Sequence, residues 1–234
     1  MRFLIALAVA AVLIVACAKP LKRHPSAFYL GAIALVGLYL YGTATSAAGG
    51  AWPYFMPLMQ RCALAFLLFT VVMFVGVLDE SSPLRARLMP VRRQLSLLGC
   101  IFAAGHIVFY SASYAPRVLS GFAGNLAASL ALAAALVVLM LILMVTSFQR
   151  VKHNLSASVW KRIQCLAYPF YLLTYVHLAM LLTPSALAGK DTALVSLAVY
   201  SIVVILYVAL RVRRALLRKA AAESAKAAVT PTCG

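Results

Sequence analysis

The chain has 234 residues, of which 65% are hydrophobic and 11% charged, with a formal net charge of +17. A mean hydropathy of +1.00 excludes an ordinary soluble domain. Several apolar runs come close to the roughly 20 residues that cross a bilayer, and no alternating barrel-type pattern is present, so the expected fold is all-α, a polytopic membrane helix bundle of about seven spans.

The expected spans are 3–18, 27–45, 62–78, 94–113, 125–148, 160–183 and 192–211. Breakers separate them: Lys19-Pro20, Gly49-Gly50 with Pro53, Ser81-Ser82-Pro83, Pro116, and Pro184 followed by Gly189. The stretch 52–61, with Trp52, Tyr54 and two prolines, reads as an interfacial segment. Residues 1–26 are then an N-terminal helix and basic loop, 27–212 the bundle, and 213–234 a basic, disordered tail.

Charge sets the orientation. Lys19, Lys22 and Arg23 follow the first span; Arg85, Arg87, Arg92 and Arg93 the third; Arg150, Lys152, Lys161 and Arg162 the fifth; and Arg211, Arg213, Arg214, Arg218, Lys219 and Lys226 the seventh. These are 17 of the 21 basic residues, leaving Arg2, Arg61, Arg117 and Lys190 for the opposite side. By the positive-inside rule the N-terminus lies outside and the C-terminus in the cytoplasm of a bacterial inner membrane. The net charge therefore reads as a topology signal beside anionic headgroups, not as a nucleic-acid footprint. Ile14-Val15-Ala16-Cys17 resembles a lipoprotein cleavage box, but the basic residues directly after Cys17 resist translocation and favour an uncleaved first span.

The five cysteines form no Cys-x-x-Cys pair, which argues against zinc, iron–sulfur and covalent c-type haem sites. No glycine-rich nucleotide loop, GxSxG or HExxH motif is present. The chemistry concentrates instead on His106 and His177. The four carboxylates (Asp79, Glu80, Asp191, Glu223) all lie outside the apolar runs, whereas these two histidines lie inside them. A polar ionisable group at membrane depth is costly and marks a functional site by default.

His106 follows Arg93 by 13 residues, and His177 follows Arg162 by 15. At 1.5 Å per residue both sit about 20 Å from the inner boundary of a roughly 30 Å core. Equal depth on two helices points to one shared ligand. Two imidazoles are too few for zinc, which takes four ligands, but they suffice for a haem, whose macrocycle supplies four nitrogens. The bland alternative is that each His bonds a neighbouring helix. Ala103, Ala104 and Gly105 beside His106 would admit a flat cofactor or simply pack helices, and nearby aromatics (Phe109, Tyr110, Tyr168, Phe170, Tyr171, Tyr175) would line a porphyrin or form interfacial belts. Arg61 and Arg117 on the outer side are candidates for haem propionates or for snorkelling. His24 and His153 sit among basic loop residues and read as solvated.

These residues resemble the ferric-reductase-like transmembrane domain family over about 60–212. The resemblance rests on Arg92-Arg93 with His106, and on Thr146-Ser147, Trp160-Lys161-Arg162-Ile163-Gln164-Cys165-Leu166-Ala167-Tyr168 and His177. The nearest subgroup is the MsrQ-type haem-binding membrane subunit of a periplasmic reductase system. The resemblance implies a six-helix haem-binding core, with His106 and His177 as the outer-haem ligands. Gln164 stands where the family carries a histidine, which implies one b haem and no inner one. The expected function is a b-type cytochrome that takes electrons from quinol and passes them to a reductase partner on the outer face. The 113–121 and 184–191 loops are its expected docking surface. The alternative is a haem-free anchor or assembly subunit.

Overall fold

The protein is described here by a computed structural model covering residues 2–46, 49–117, 121 and 124–229; the side chains of 2–7, 117 and 225–229 are excluded. The described residues form twelve α-helices: α1 (Arg2–Ala16), α2 (Ala18–Arg23), α3 (Pro25–Ala44), α4 (Trp52–Gln60), α5 (Ala63–Val75), α6 (Pro83–Leu88), α7 (Arg92–Tyr114), α8 (Gly124–Val145), α9 (Gln149–His153), α10 (Ala157–Gln164), α11 (Ala167–Leu187) and α12 (Asp191–Val229). The described residues contain no strand. Several starts are legible locally. Proline opens α3 and α6 at the position where its missing N–H costs nothing. Ser156 caps α10 by accepting from the Val159 N–H at 3.4 Å.

Among the described residues five helical stretches are long and apolar enough to cross a membrane: Pro25–Ala44, Pro83–Tyr114, Gly124–Val145, Ala157–Leu187 and Asp191–Ser224. The pair α4–α5, bent by 60°, makes a sixth if it is one broken span. The chain is thus a helical, multi-pass membrane protein. α1, where the first span is expected, has 15 residues among those described, about 22 Å along its axis, and is not one of these stretches. The 52–61 stretch is α4, which leads into α5 through the bend.

The chain divides into two compact units, Met1–Leu181 and Leu182–Gly234. In the first unit α7 is the central helix, packed on α3 and α5. Small residues allow the approach. A Cβ on Gly99 would meet the Phe69 ring at 2.8 Å, and one on Gly105 would meet Val36 at 2.9 Å. One end of the unit is sealed by a cluster including Ala18, Leu21, Val75, Leu88, Val91 and Leu95. α1 lies along α4, α5 and α6, and at the cluster end Arg87 donates to the Ala16 carbonyl at 3.4 Å.

In the second unit α12 runs unbroken for 39 residues. Ser196 and Ser201 turn their hydroxyls back onto carbonyls four residues earlier, at 2.7 Å each. Beyond residue 212, where a disordered tail is expected, the helix continues to Val229. Lys219 and Glu223 pair across one turn at 4.0 Å, and alanine-rich sequence favours helix there.

The close approach of α7 to α5 gives a test. Gly99→Ala should lower the thermal unfolding midpoint in detergent, because overpacking costs about 1–3 kcal/mol. Gly31→Ala, with nothing within 4 Å of the added carbon, should leave it unchanged or raise it. Equal midpoints for the two variants would contradict the packing.

Candidate functional site

The site begins with a broken helix. Pro57 inside α4 has no N–H to give the Pro53 carbonyl. Arg61 and Cys62 then end the ladder, with Cys62 in the left-handed region at φ 55°. The Arg61 and Cys62 amides turn back to the Pro57 and Met59 carbonyls. The Gln60 carbonyl accepts instead from the imidazole of His106, whose Nδ1 lies 2.7 Å away. A carbonyl only accepts, so Nδ1 carries the hydrogen and Nε2 keeps the lone pair.

His177 repeats the arrangement on α11. Its Nδ1 lies 3.1 Å from the Ser129 carbonyl and 3.1 Å from the Ser129 hydroxyl, both on α8. Ser129 is fully buried. One turn before it on α8, Asn125 donates to the Met180 carbonyl on α11 at 2.6 Å. Its partner carbonyl again makes Nδ1 of His177 the protonated nitrogen and leaves Nε2 basic. The two imidazoles lie within electrostatic range of one another, and both are partly buried. α7 makes no approach to α11 as close as its packing on α3 and α5 among the described residues.

Haem suits this donor set. Metal-ligating histidines characteristically donate the second ring N–H to a carbonyl, which fixes the tautomer and raises the basicity of the ligating nitrogen. Both side chains do so here. Among the described residues no cluster of three or more His, Cys, Asp and Glu side chains could hold an ion unaided. A group that brings its own equatorial nitrogens needs only two. The Tyr39 hydroxyl, fully buried and without a hydrogen-bond partner among the described residues, lies within electrostatic range of Tyr110 and Cys62 beside this site.

The other expected residues divide. Arg61 sits at the helix break itself, next to the Gln60 carbonyl, and lies within electrostatic range of Tyr110. Tyr110 in turn packs on the His106 ring at 4.7 Å. The Arg117 side chain lies outside the described residues. Gly105 and Ala103 face inward, Gly105 against Val36 of α3, so they pack helices instead of opening space for a cofactor. Phe170 and Tyr171 pack on Phe69 and Phe66 of α5, and the Tyr171 hydroxyl meets that of Thr70 at 3.0 Å. Gln164 donates to the Thr146 hydroxyl at 3.0 Å, and Trp160 donates to the Thr146 carbonyl at 3.1 Å. His24 and His153 are exposed. Of the expected docking loops, 184–191 shortens to a turn after Leu187; 113–121 begins as the end of α7 and a 3-10 turn, and its residues 118–120 lie outside the described ones.

Gln60 and Ser129, the partners of the two histidines, were not foreseen. Their contribution is largely main-chain carbonyls, which side-chain identity does not reveal. The available signal was Pro53 and Pro57 four residues apart, followed by Arg61, an unusual stretch to find inside an apolar run. Because the Ser129 carbonyl remains when its hydroxyl is removed, Ser129→Ala should weaken a ligand held by His177 by about tenfold or less, at the lower edge of the effects of losing outer partners. His177→Ala should abolish retention of that ligand. A haem titration of detergent-solubilised protein separates the two.

No family model matches the chain. A protein of uncharacterised function from Treponema pallidum (strain Nichols) is 37% identical over 237 aligned residues, which cover 98% of this chain and 65% of the relative. The chain thus spans about two thirds of the length of the protein it resembles.

Proposed function

We propose that this chain is a membrane b-type cytochrome of the ferric-reductase-like kind, holding one haem between His106 and His177 and passing electrons from quinol to a partner on the outer face. The observation that carries the reading is the pair of Nδ1–carbonyl bonds, to Gln60 and to Ser129. They leave two basic Nε2 atoms on different helices, within electrostatic range of each other. A bound haem would supply a one-electron iron couple.

The residues divide the remaining tasks. His106 and His177 would be the two protein ligands of the haem, a ligand set that suits electron transfer over oxygen chemistry. The Gln60 and Ser129 carbonyls hold the imidazoles in one tautomer and one orientation. Arg61, at the helix break, offers a charge-assisted bond to a propionate. Gln164 is committed to Thr146 and is a poor iron ligand, which supports a single haem. The basic asymmetry supports a cytoplasmic C-terminus and, with α1 as a seventh and short crossing, an outside N-terminus. The pair would then lie about 20 Å from the cytoplasmic boundary, too far for a cytoplasmic flavoprotein without a relay, whereas a quinol reaches it laterally.

Three measurements test this. The purified protein should show a b-type spectrum and about one haem per chain by pyridine haemochrome, as the single pair of ligands implies. A His106→Ala, His177→Ala double variant should lose it, while His24→Ala and His153→Ala should not; full retention in the double variant would sink the assignment. Reporter fusions at Gly49, Pro116 and Gly189 should all read outside, and inside readings at any two would overturn the topology. In stopped flow a reduced menaquinone analogue should reduce the protein. Rapid reduction by NAD(P)H with a soluble flavin reductase, but not by the quinol, would reverse the proposed route.

A further inference from the structure

At the basic end of the first unit, apart from the histidine pair, lies a cavity of about 300 Å³ lined by α5, α7, α8, α9, α10 and α11. This falls at the lower end of the size range of ligand sites. Its two ends differ in chemistry. The deep wall is apolar: Phe69, Val72 and Met73 from α5, Cys100 from α7, Met140 from α8 and Phe170 from α11. The lip carries Arg92, Arg93 and Lys152. No carboxylate lines the cavity. The nearest acidic residues in sequence to α7 are Asp79 and Glu80, and Glu80 pairs with Arg85 at 3.6 Å.

The lip is also held in place. The Lys152 ammonium sits 4.7 Å from the Trp160 ring centroid, and Trp160 is tied by its indole N–H to the Thr146 carbonyl at 3.1 Å. Gln164, in the same wall, is tied to the Thr146 hydroxyl.

We infer that this cavity binds an anionic phospholipid, with its phosphate between Arg92, Arg93 and Lys152 and the start of an acyl chain against the apolar wall. Charge and shape select this occupant. A small free anion would use the cations but not the apolar wall. A neutral quinone would use the wall but leave three cations without a counter-charge. Guanidinium groups match phosphate oxygens two at a time, and methionines adapt to an acyl chain. Basic recesses between membrane helices bind lipid headgroups in this way. The inference does not depend on the haem reading.

Trp160 in the wall gives a direct readout. Full-length protein carrying Trp52→Phe, in neutral detergent, is titrated with phosphatidylglycerol or phosphatidylcholine brominated on the acyl chains, and Trp160 fluorescence is followed. Brominated phosphatidylglycerol should quench saturably, while phosphatidylcholine should quench weakly and without saturation. Inorganic phosphate should not compete. Arg92→Gln with Arg93→Gln should weaken the phosphatidylglycerol curve by about tenfold or more, as expected for losing charge-assisted bonds. Lys152→Gln, a change on an exposed residue, should weaken it in the same direction. Arg150→Gln with Arg162→Gln, on the same basic end but off the cavity, should leave it unchanged. Equal quenching by the two lipids, competition by inorganic phosphate, or equal losses in the cavity and off-cavity variants would each overturn the site. So would a pyridine-haemochrome value near two haems per chain that falls to one when Arg92 and Arg93 are replaced.

Discussion

A peptide carbonyl that loses its helical partner inside hydrocarbon must find another donor, and the Gln60 carbonyl finds the imidazole of His106. That bond lies where α4, α5 and α7 of the first unit meet. It pins the bend between α4 and α5 to α7, the central helix. It also satisfies an acceptor left bare by the break and fixes which ring nitrogen of His106 stays basic. The break and the histidine are therefore one feature: the bend leaves the carbonyl bare, and the imidazole that satisfies it has its tautomer set in return.

α8 and the α10–α11 stretch are stitched at both ends by polar contacts. At one end Asn125 and Ser129 meet Met180 and His177. At the other, Thr146 receives Trp160 and Gln164. Interhelical hydrogen bonds of this kind are worth only about 0.6–2 kcal/mol each in a membrane. Two of them a helix-length apart nevertheless fix both the slide and the rotation of one helix against the other. His177 inherits its orientation from that register. The same stitch at Thr146 shapes the cavity with the cationic lip.

The membrane helices were legible because hydropathy is a local property, and their ends were legible because prolines, glycines and basic residues mark them. His106 and His177 stood out because so little else in the apolar runs is polar. The histidines' partners were not legible, because a carbonyl at Gln60 or Ser129 has no signature in the side-chain alphabet. Gly105 shows the reverse difficulty: a small residue beside a histidine reads equally as room for a ligand and as a helix contact, and only the position of Val36 decides for the contact. The tail 213–234 opens with Arg213, Arg214, Arg218 and Lys219 and reads as basic and disordered, yet the alanines that follow carry the α12 helix to Val229.

The corner between α4 and α5 has a mechanical consequence. α5 has 13 residues, about 20 Å along its axis, and it is long enough to span a bilayer only together with α4, across the 60° bend. Pro57 and the left-handed Cys62 interrupt the helix there, so the joint is softer than either helix. A surrounding layer that thickens or thins would change this angle before it stretched either rod.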